Sequence, residues 1–166
     1  MLRRLWSTPP AADAPFVRLD AVVETWAAVN ERRPPTQPRL VDLAAGLVRE
    51  LLPSPGEPVV LHQDFHTGNV LLDERRGWLA IDPKPLVGER AFDCGALVRD
   101  RRTELMRDPH APARIRRRLD QLAEELELDR ERMRGWAVVH AVAWGGEGGP
   151  GWDPAMVACA NWLADA

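Results

Sequence analysis

Three side chains that carry oxygen ligands lie close together in the middle of the chain. Asp64 is followed five residues later by Asn69, and Asp82 comes thirteen residues after that, at the end of an apolar run. In phosphoryl transfer a carboxylate orients the acceptor hydroxyl, and two further oxygen ligands hold magnesium against the phosphates of a nucleotide. The amide oxygen of Asn69 is neutral and suits a magnesium ion that keeps several waters. These residue types indicate phosphoryl transfer, with Asp64 as the catalytic group and Asn69 and Asp82 as metal ligands.

Two short apolar runs predict the element that positions the two metal ligands. Residues 70–72 and 78–81 flank a five-residue loop, 73–77, that ends in glycine, which is typical of a β-hairpin. Asn69 precedes the first strand and Asp82 follows the second. Because a hairpin brings its outer ends together, we expect both side chains to reach one cation. The apolar run at 59–61 predicts a further buried strand or an extended lead-in.

The segment around these residues resembles the catalytic and metal-binding segments of the aminoglycoside phosphotransferases. The resemblance lies in LHQDFHTGNVLL at 61–72 and IDPKP at 81–85. The IDPKP run, with GERAFD at 88–93, is most similar to the streptomycin 6-kinase and hydroxyurea phosphotransferase branch. The resemblance implies ATP as the phosphate donor, Mg²⁺ as cofactor, and transfer of the γ-phosphate to an alcohol group of a small molecule, as in antibiotic-resistance kinases.

The same resemblance assigns supporting roles to residues beside the catalytic group. It implies that His62 and His66 brace the catalytic loop and that Asp93 forms a hydrogen bond back to it. Lys84 belongs to the Asp-Pro-Lys-Pro signature of the branch. It is interpreted either as a contact to the phosphate or the acceptor, or as a salt-bridged loop lysine.

Acidic and indole side chains surround a glycine-rich loop at 145–151, where the family lines its acceptor pocket. Such side chains suit a cationic, sugar-like molecule, and they fit ordinary loop and core positions equally well. We therefore consider a cationic or hydroxylated small-molecule substrate. The candidate contacts are Trp144, Glu147, Trp152 and Asp153.

Helical patterns dominate the remaining sequence. Apolar residues at helical spacing, with helix-start signals, predict helices at residues 17–33, 40–51, 92–106, 112–126, 130–144 and 155–163. Pro34 and Pro35 must end the first helix, because proline cannot continue one. Asp129 and Asp153 are expected to cap the last two helices at their N-termini.

These patterns predict a mainly α fold with a small β-hairpin, which the resemblance identifies as the C-terminal lobe of a protein-kinase-like fold. We expect a single domain over residues 1–166. It is divided into a helical lead-in (1–58), a catalytic loop with the metal-binding hairpin (59–93) and a helical substrate subdomain (94–166).

The N-terminal lobe of the family is expected to be missing from this chain. Kinases cover the nucleotide with a glycine-rich loop and grip the phosphates with a strand lysine. Here only Gly46 precedes Gly56, and Lys84 is the sole lysine. We therefore expect little or no kinase activity from the chain alone, and exposed apolar surface at Trp6 and on the first long helix.

Charge, apolar stretches and cysteine placement limit the classes of partner and the cellular location that we expect. With 166 residues and a formal net charge of -3, the chain gives no reason to expect a nucleic-acid partner. The arginine-rich run at 114–118 is interpreted as a solvated helix face.

The start lacks the apolar region of a signal peptide and no apolar stretch is long enough for a membrane helix. Cys94 and Cys159 are isolated, which suits a reducing compartment. We expect a cytoplasmic protein, with a separate N-terminal lobe or a second copy as its protein partner.

Two other hypotheses stay open at this point. One is an iron site of two histidines and one carboxylate, formed by His62 and Asp64 with His140 or His110 as the third ligand. It requires more strands than the sequence predicts. The other is a non-catalytic remnant of a kinase, which binds a ligand or partner without turnover.

Overall fold

The computed structural model describes residues 1–7, 9–11, 13–31, 37–146 and 151–166. The helices in this part of the chain are α1 (Leu2–Leu5), α2 (Leu19–Glu31), α3 (Pro38–Leu51), α4 (Arg90–Val98), α5 (Arg102–Leu105), α6 (Ala111–Leu126), α7 (Arg130–Gly145) and α8 (Pro154–Ala164). The strands are β1 (Pro58–Leu61), β2 (Val70–Asp73), β3 (Gly77–Ala80) and β4 (Leu86–Glu89), and a 3-10 turn, Thr67–Asn69, precedes β2. The fold is mainly helical, as predicted.

The strands form two small antiparallel sheets. The predicted hairpin is confirmed as β2 paired with β3, with Val70 opposite Ala80 and Asp73 opposite Gly77. Its loop is therefore shorter than expected, because Asp73 and Gly77 belong to the ladder. The Asp73 carboxylate accepts hydrogen bonds from two backbone N–H groups of the turn. Gly77 has a φ of 73°, a left-handed conformation that glycine adopts without steric cost.

The second sheet pairs β1 with β4, and β4 was not predicted. Val59 lies opposite Gly88 and Leu61 opposite Leu86. A Cβ on Gly88 would lie 2.8 Å from Leu19 Cβ, so glycine allows α2 to pack closely against this sheet. The sheet carries the chain into the catalytic loop after β1 and into α4 after β4.

Helix α7 forms the centre of the core. It packs against α3, α4, α6 and α8, which explains why apolar residues surround nearly all of its circumference. Trp136, Ala137 and Val138 are fully buried in it. The predicted N-caps are confirmed at the starts of α7 and α8. Asp129 accepts from the backbone N–H of Arg132, and Asp153 accepts from that of Ala155.

The helix predicted over residues 92–106 is wrong, because the structure breaks it into α4 and α5. Arg101, between them, has a φ of 55° in the left-handed region. The guanidinium of Arg118, on α6, donates to the backbone carbonyls of Val98 at 3.0 Å and Asp100 at 2.7 Å. These bonds satisfy carbonyls that a continuous helix would have used internally.

The expected exposure of Trp6 and of the first long helix is also wrong. Trp6 is only 4% exposed, and its indole N–H donates to the carboxylate of Asp93 at 3.0 Å. Helix α2 buries Leu19 and Val23. Large apolar side chains that are more than half exposed lie instead before α2 and on the hairpin, at Val17, Leu71, Leu72 and Trp78.

The remaining predicted helices are confirmed with small shifts at their ends. Pro34 and Pro35, expected to stop the first of them, lie outside the described residues. No helix in the described ranges has the length and apolar character needed to cross a membrane.

Candidate active site

The buried carboxylate of Asp93 fixes the start of the catalytic loop. Asp93 lies in the first turn of α4 and is fully buried. One of its oxygens accepts from the backbone N–H of Gln63 at 2.6 Å. The other accepts from the backbone N–H of His62 and the indole of Trp6, both at 3.0 Å. Burial raises the pKa of Asp93, while these three donors oppose that rise. Its hydrogen bonds therefore replace the water that the carboxylate has lost.

Two buried histidines hold the loop from the other directions. The ring Nε2 of His62 lies 3.0 Å from the carbonyl oxygen of Ile81, and that of His140 lies 3.0 Å from the carbonyl oxygen of Gln63. A carbonyl only accepts, so each ring donates through Nε2–H. Burial lowers the pKa of His140 well below its usual value, so this imidazole is neutral. Gln63 has a φ of 68°, a strained conformation that these contacts maintain.

This arrangement argues against an iron site formed by His62 and Asp64 with His140 or His110. His62 and His140 both direct Nε2 at backbone carbonyls rather than at a shared point with Asp64. His110 is exposed at the start of α6. Among the described residues, no three histidine, cysteine, aspartate or glutamate side chains are grouped so that they could hold a metal ion.

Asp64, Asn69 and Asp82 meet at the open end of the hairpin. The Asn69 side chain donates from Nδ2 to the backbone carbonyl of Asp64 at 2.9 Å, and the backbone carbonyl of Asn69 accepts from the N–H of Ile81 at 3.0 Å. The Nζ atom of Lys84 lies 2.9 Å from Asp64 Oδ2 and 3.4 Å from Asp82 Oδ2. The two carboxylates are therefore close enough to share one cation.

Lys84 is positioned by the backbone of the loop that it joins. Its N–H donates to the carbonyl of His62 at 3.0 Å, which ties the segment after β3 to the catalytic loop. The hydrogen bond with Asp64 is the main reason why the pKa of Lys84 is raised. The ammonium group is thus a firmly charged bridge between two acids.

Asp82 carries its carboxylate in an unusual backbone conformation. Its φ is 52°, in the left-handed region, and the next residue is Pro83. Proline normally favours extended backbone in the residue before it, and the left-handed region is costly for residues other than glycine. Its side chain is 69% exposed, whereas that of Asp64 is 13% exposed. The strained turn presents Asp82 to solvent beside the more enclosed Asp64.

His66 shapes the turn between Asp64 and Asn69. Its Nδ1 accepts from the N–H of Gly68 at 3.0 Å, and its Nε2 lies 3.8 Å from Asp64 Oδ1. A Cβ on Gly68 would lie 2.8 Å from the His66 ring, so this close approach requires glycine. The histidine caps the 3-10 turn that leads into Asn69.

A cavity of about 440 Å³ opens beside Asp64. Asn69, Asp82 and Lys84 are not among its lining residues. Lys84 Nζ lies 5.6 Å from the ring centroid of Trp144. The lining residues are Asp64, His66, Thr67, Gly68, Ala96, Arg99, Asp100, Arg101, Arg102, Thr103, Trp144 and Met156.

Of the three candidate substrate contacts that lie in the described residues, one lines this cavity. Trp144 does, whereas Trp152 packs against the hydrophobic core. Asp153 caps α8 and forms an ion pair with Arg102 at 3.2 Å. Glu147 lies outside the described residues.

Sequence reasoning missed the three cavity arginines, Arg99, Arg101 and Arg102, because they were placed within a continuous helix. The repeated arginines at 99–102, next to an aspartate, were the only signal, and a solvated helix face gives the same pattern.

Comparison with known proteins identifies the family. The family of aminoglycoside/hydroxyurea antibiotic resistance kinases matches the chain over residues 1–149. The chain belongs to this family. The resemblance predicted from the catalytic segment is therefore confirmed.

Individual relatives are named as kinases or phosphotransferases. A streptomycin 6-kinase from Streptomyces glaucescens is 36% identical over 173 residues, which cover 98% of this chain and 55% of the relative. A streptomycin 6-kinase from Streptomyces griseus is 46% identical over 94 residues, covering 57% of this chain and 30% of the relative. A hydroxyurea phosphotransferase from Kitasatospora aureofaciens is 40% identical over 105 residues, covering 63% of this chain and 28% of the relative.

The matched region spans about half or less of the length of each of these relatives. No solved structure matches the chain.

Proposed function

We propose that this kinase carries the metal-binding and acceptor-binding parts of an ATP-dependent phosphotransferase, in a fold like the C-terminal lobe of a protein kinase. The observation that supports the proposal best is the position of Lys84. Its ammonium lies between the carboxylates of Asp64 and Asp82 at 2.9 and 3.4 Å. A site that holds one cation between two carboxylates, beside the Asn69 amide, offers the hard oxygen donors that Mg²⁺ prefers.

The residues at the open end of the hairpin fit a magnesium ion. Asp82 would supply a charged, exposed oxygen and Asn69 a neutral one, since the Asn69 amide nitrogen is used to hold the loop. Bound Mg²⁺ would neutralise charge on the phosphates of the nucleotide. Lys84 would leave the carboxylate pair as the metal enters, because two cations in one small site repel each other.

Asp64 has the position that an acceptor-orienting carboxylate needs. It lines the cavity of about 440 Å³ and shares the ammonium of Lys84 with Asp82, so an alcohol bound in the cavity can donate its hydroxyl hydrogen to it. Asp93 and His140 fix the backbone just before Asp64. Positioning supplies much of the catalysis in phosphoryl transfer, and this anchoring serves that purpose.

The exposed apolar face of the hairpin offers a binding surface for the nucleotide base. Leu72 pairs with Trp78 across the ladder, and both are well over half exposed. Asn69 and Asp82 lie at the end of the same hairpin. A nucleotide held through its phosphates at that end could place its base on the apolar face and bury it.

The acceptor is proposed to be a hydroxylated small molecule. The named relatives act on streptomycin or hydroxyurea, and an antibiotic-resistance activity of this kind is the proposal here. Lys84, the sole lysine, bridges two acids rather than gripping phosphate. We therefore expect slow or undetectable transfer from the 166-residue chain by itself.

Calorimetry with Mg²⁺ and a non-hydrolysable ATP analogue tests the metal site. Asp82→Ala should weaken binding at least tenfold, because it removes the charged ligand. Asp64→Ala should weaken binding less than Asp82→Ala does, because Asp64 is assigned to the acceptor hydroxyl, and Asp73→Ala at the far end of the hairpin should leave binding unchanged. Equal binding by the wild type and the Asp82 variant would overturn the proposal.

A transfer assay separates catalysis from binding. The chain is incubated with γ-labelled ATP, Mg²⁺ and either hydroxyurea or streptomycin. Product at ordinary kinase rates that Asp64→Ala abolishes would support catalysis and contradict the expected low activity. Nucleotide binding without any transfer favours the non-catalytic remnant for this chain.

A further inference from the structure

The indole of Trp6 reaches the support of the catalytic loop from a distant part of the sequence. Trp6 follows α1 directly, is 4% exposed, and donates from Nε1 to Asp93 Oδ2 at 3.0 Å across 87 residues of sequence. It belongs to none of the motifs that carry the family resemblance. The backbone N–H groups of His62 and Gln63, which also donate to Asp93, are part of the loop itself.

The Asp93 carboxylate needs a contact outside the loop to fix its plane. The last torsion of an aspartate side chain has broad minima, so the backbone of α4 alone does not set the direction of the two oxygens. The donors from His62 and Gln63 cannot set it independently, because they belong to the segment that the carboxylate has to position. Trp6 donates from a separate element. It shares Oδ2 with the N–H of His62 and leaves Oδ1 to that of Gln63.

Trp6 is held in place by the contacts of α1 with other parts of the fold. Leu2, also 4% exposed, packs with Trp6 in the hydrophobic core. The backbone N–H of Trp6 donates to the carbonyl of Leu2 at 2.9 Å. The guanidinium of Arg3 donates to the backbone carbonyl of Glu125 in the last turn of α6. Helix α1 therefore gives Trp6 an anchor outside the catalytic loop.

The effect of this anchor continues through Gln63 to the catalytic group. Gln63 directly precedes Asp64 and has a φ of 68°, a conformation that surrounding contacts must maintain. Its N–H is held by Asp93 at 2.6 Å and its carbonyl by the ring of His140 at 3.0 Å. A carboxylate that turned away from Gln63 would let this residue relax, and Asp64 would move with it.

We propose that Trp6 is a positioning residue for Asp64. Its indole N–H fixes the plane of the Asp93 carboxylate, and that carboxylate holds Gln63 in the conformation that places Asp64 beside the cavity. The role of Asp64 in transfer rests on the proposed function, whereas the placement of the loop does not. The alternative is a tryptophan buried only for packing, whose N–H meets an acceptor as buried indoles usually do.

Two substitutions separate the hydrogen bond from the packing. Trp6→Phe keeps a large aromatic ring and removes the N–H. Trp6→His loses the benzene part of the indole but keeps a ring N–H, because Nε2 of imidazole has the same place in the five-membered ring as Nε1 of indole. Trp162→Phe, on α8, is the matched control for lost packing, since Trp162 is partly buried against the core.

Amide hydrogen exchange measured by NMR reads the loop and the core separately. The loop reporters are the backbone N–H groups of His62 and Gln63, and the core reporter is that of Val138, which is fully buried in α7. In Trp6→Phe, exchange of the loop reporters should accelerate about tenfold more than that of Val138, as expected for loss of one hydrogen bond to a charged group. In Trp6→His and Trp162→Phe, the loop and core reporters should accelerate by similar factors.

The opposite pattern would overturn the proposal. A packing role predicts uniform acceleration in Trp6→Phe, because a loss of global stability lowers the protection of every core amide together. Selective acceleration of the loop reporters in Trp6→His, equal to that in Trp6→Phe, would also show that the N–H does not hold the loop.

The wild-type chain provides a test that needs no variant. If the three donors to Asp93 open together, the indole N–H of Trp6 and the amides of His62 and Gln63 should have protection factors within about threefold of one another. An indole N–H protected more than about tenfold less than these amides would contradict the proposal, because the loop would then stay closed without it.

These measurements need neither nucleotide nor metal. Selective loss of loop protection in Trp6→Phe, together with no binding of magnesium and nucleotide by the wild type, would reject the proposed function alone. Uniform loss of protection in Trp6→Phe, together with normal nucleotide binding, would reject the positioning role of Trp6 alone.

Discussion

The two faces of the catalytic loop differ in how they are held. On the inner face, Asp93, His62 and His140 are at most 2% exposed, and each is hydrogen-bonded to the backbone of the loop or of the segment after β3. On the outer face, the side chains of Asp82 and Lys84 are 69% and 45% exposed, and they are joined by one ammonium–carboxylate contact at 3.4 Å.

This difference indicates that the inner face supports the loop, whereas the outer face carries the groups proposed for the chemistry. Buried hydrogen bonds stabilise one loop conformation because breaking one leaves a group that water cannot reach. Exposed ion pairs contribute little and exchange readily. The inner face can therefore fix the position of Asp64, while the outer face can exchange its cation.

Removal of Asp93 should have the largest effect. Asp93→Ala leaves three buried donors without an acceptor, at about 1–3 kcal/mol for each unsatisfied group. We expect a loss of about 3 kcal/mol or more in the free energy of unfolding, measured by urea titration. Asp42→Ala, an exposed aspartate on α3, is the control and should change stability by less than about 0.5 kcal/mol. Similar losses for both variants would remove the distinction between the faces.

The neutral state of His140 predicts a dependence of stability on pH. Its folded pKa is lowered well below 6.5, so the unfolded chain takes up a proton that the folded chain cannot. This contribution is fully present above about pH 6.5 and falls by about 1.4 kcal/mol per pH unit as the pH drops below that value.

Unfolding experiments between pH 5 and 7 measure that slope. His140→Gln should flatten it by about one proton, whereas His110→Gln on the surface should leave it unchanged. An unchanged slope in the His140 variant would show that this imidazole is not held neutral.

Lys84 should have the smallest effect on stability and a visible effect on metal binding. Lys84→Met removes exposed ion pairs, so the free energy of unfolding should change by less than about 1 kcal/mol. Asp64 and Asp82 then lose their bridging cation, and Mn²⁺ binding should tighten severalfold. Arg75→Met, at the hairpin turn, is the matched control for charge. Weaker Mn²⁺ binding in the Lys84 variant would show that the lysine helps to bind the metal instead of competing with it.

The sequence predicted the parts of the fold that depend on local patterns. The spacing of Leu40, Ala44, Leu47 and Leu51 predicts α3, and two apolar runs with a glycine turn predict the hairpin. Strand β4 was missed because its partner β1 lies 25 or more residues away in the sequence and its four residues have no distinctive pattern. The break after α4 depends on Arg118, which is contributed by another helix.

Of the candidate site, only the motif could be predicted from the sequence. Asp64, Asn69 and Asp82 could be named from their types and spacing. The contacts that hold them could not, since Trp6 and His140 reach the loop only through the tertiary fold. The same holds for Arg99, which follows α4 directly and is buried next to Trp144.

Paramagnetic NMR with Mn²⁺ in place of Mg²⁺ tests the central claim most directly. In the presence of a non-hydrolysable ATP analogue, the signals that broaden first should be the side-chain amide of Asn69 and the backbone amides of Asp64 and Asp82. Asp82→Ala should abolish this pattern. Broadening centred on other acids, such as Asp73 and Glu74 at the hairpin turn, or unchanged broadening in the Asp82 variant, would contradict a phosphoryl-transfer metal site at Asn69 and Asp82.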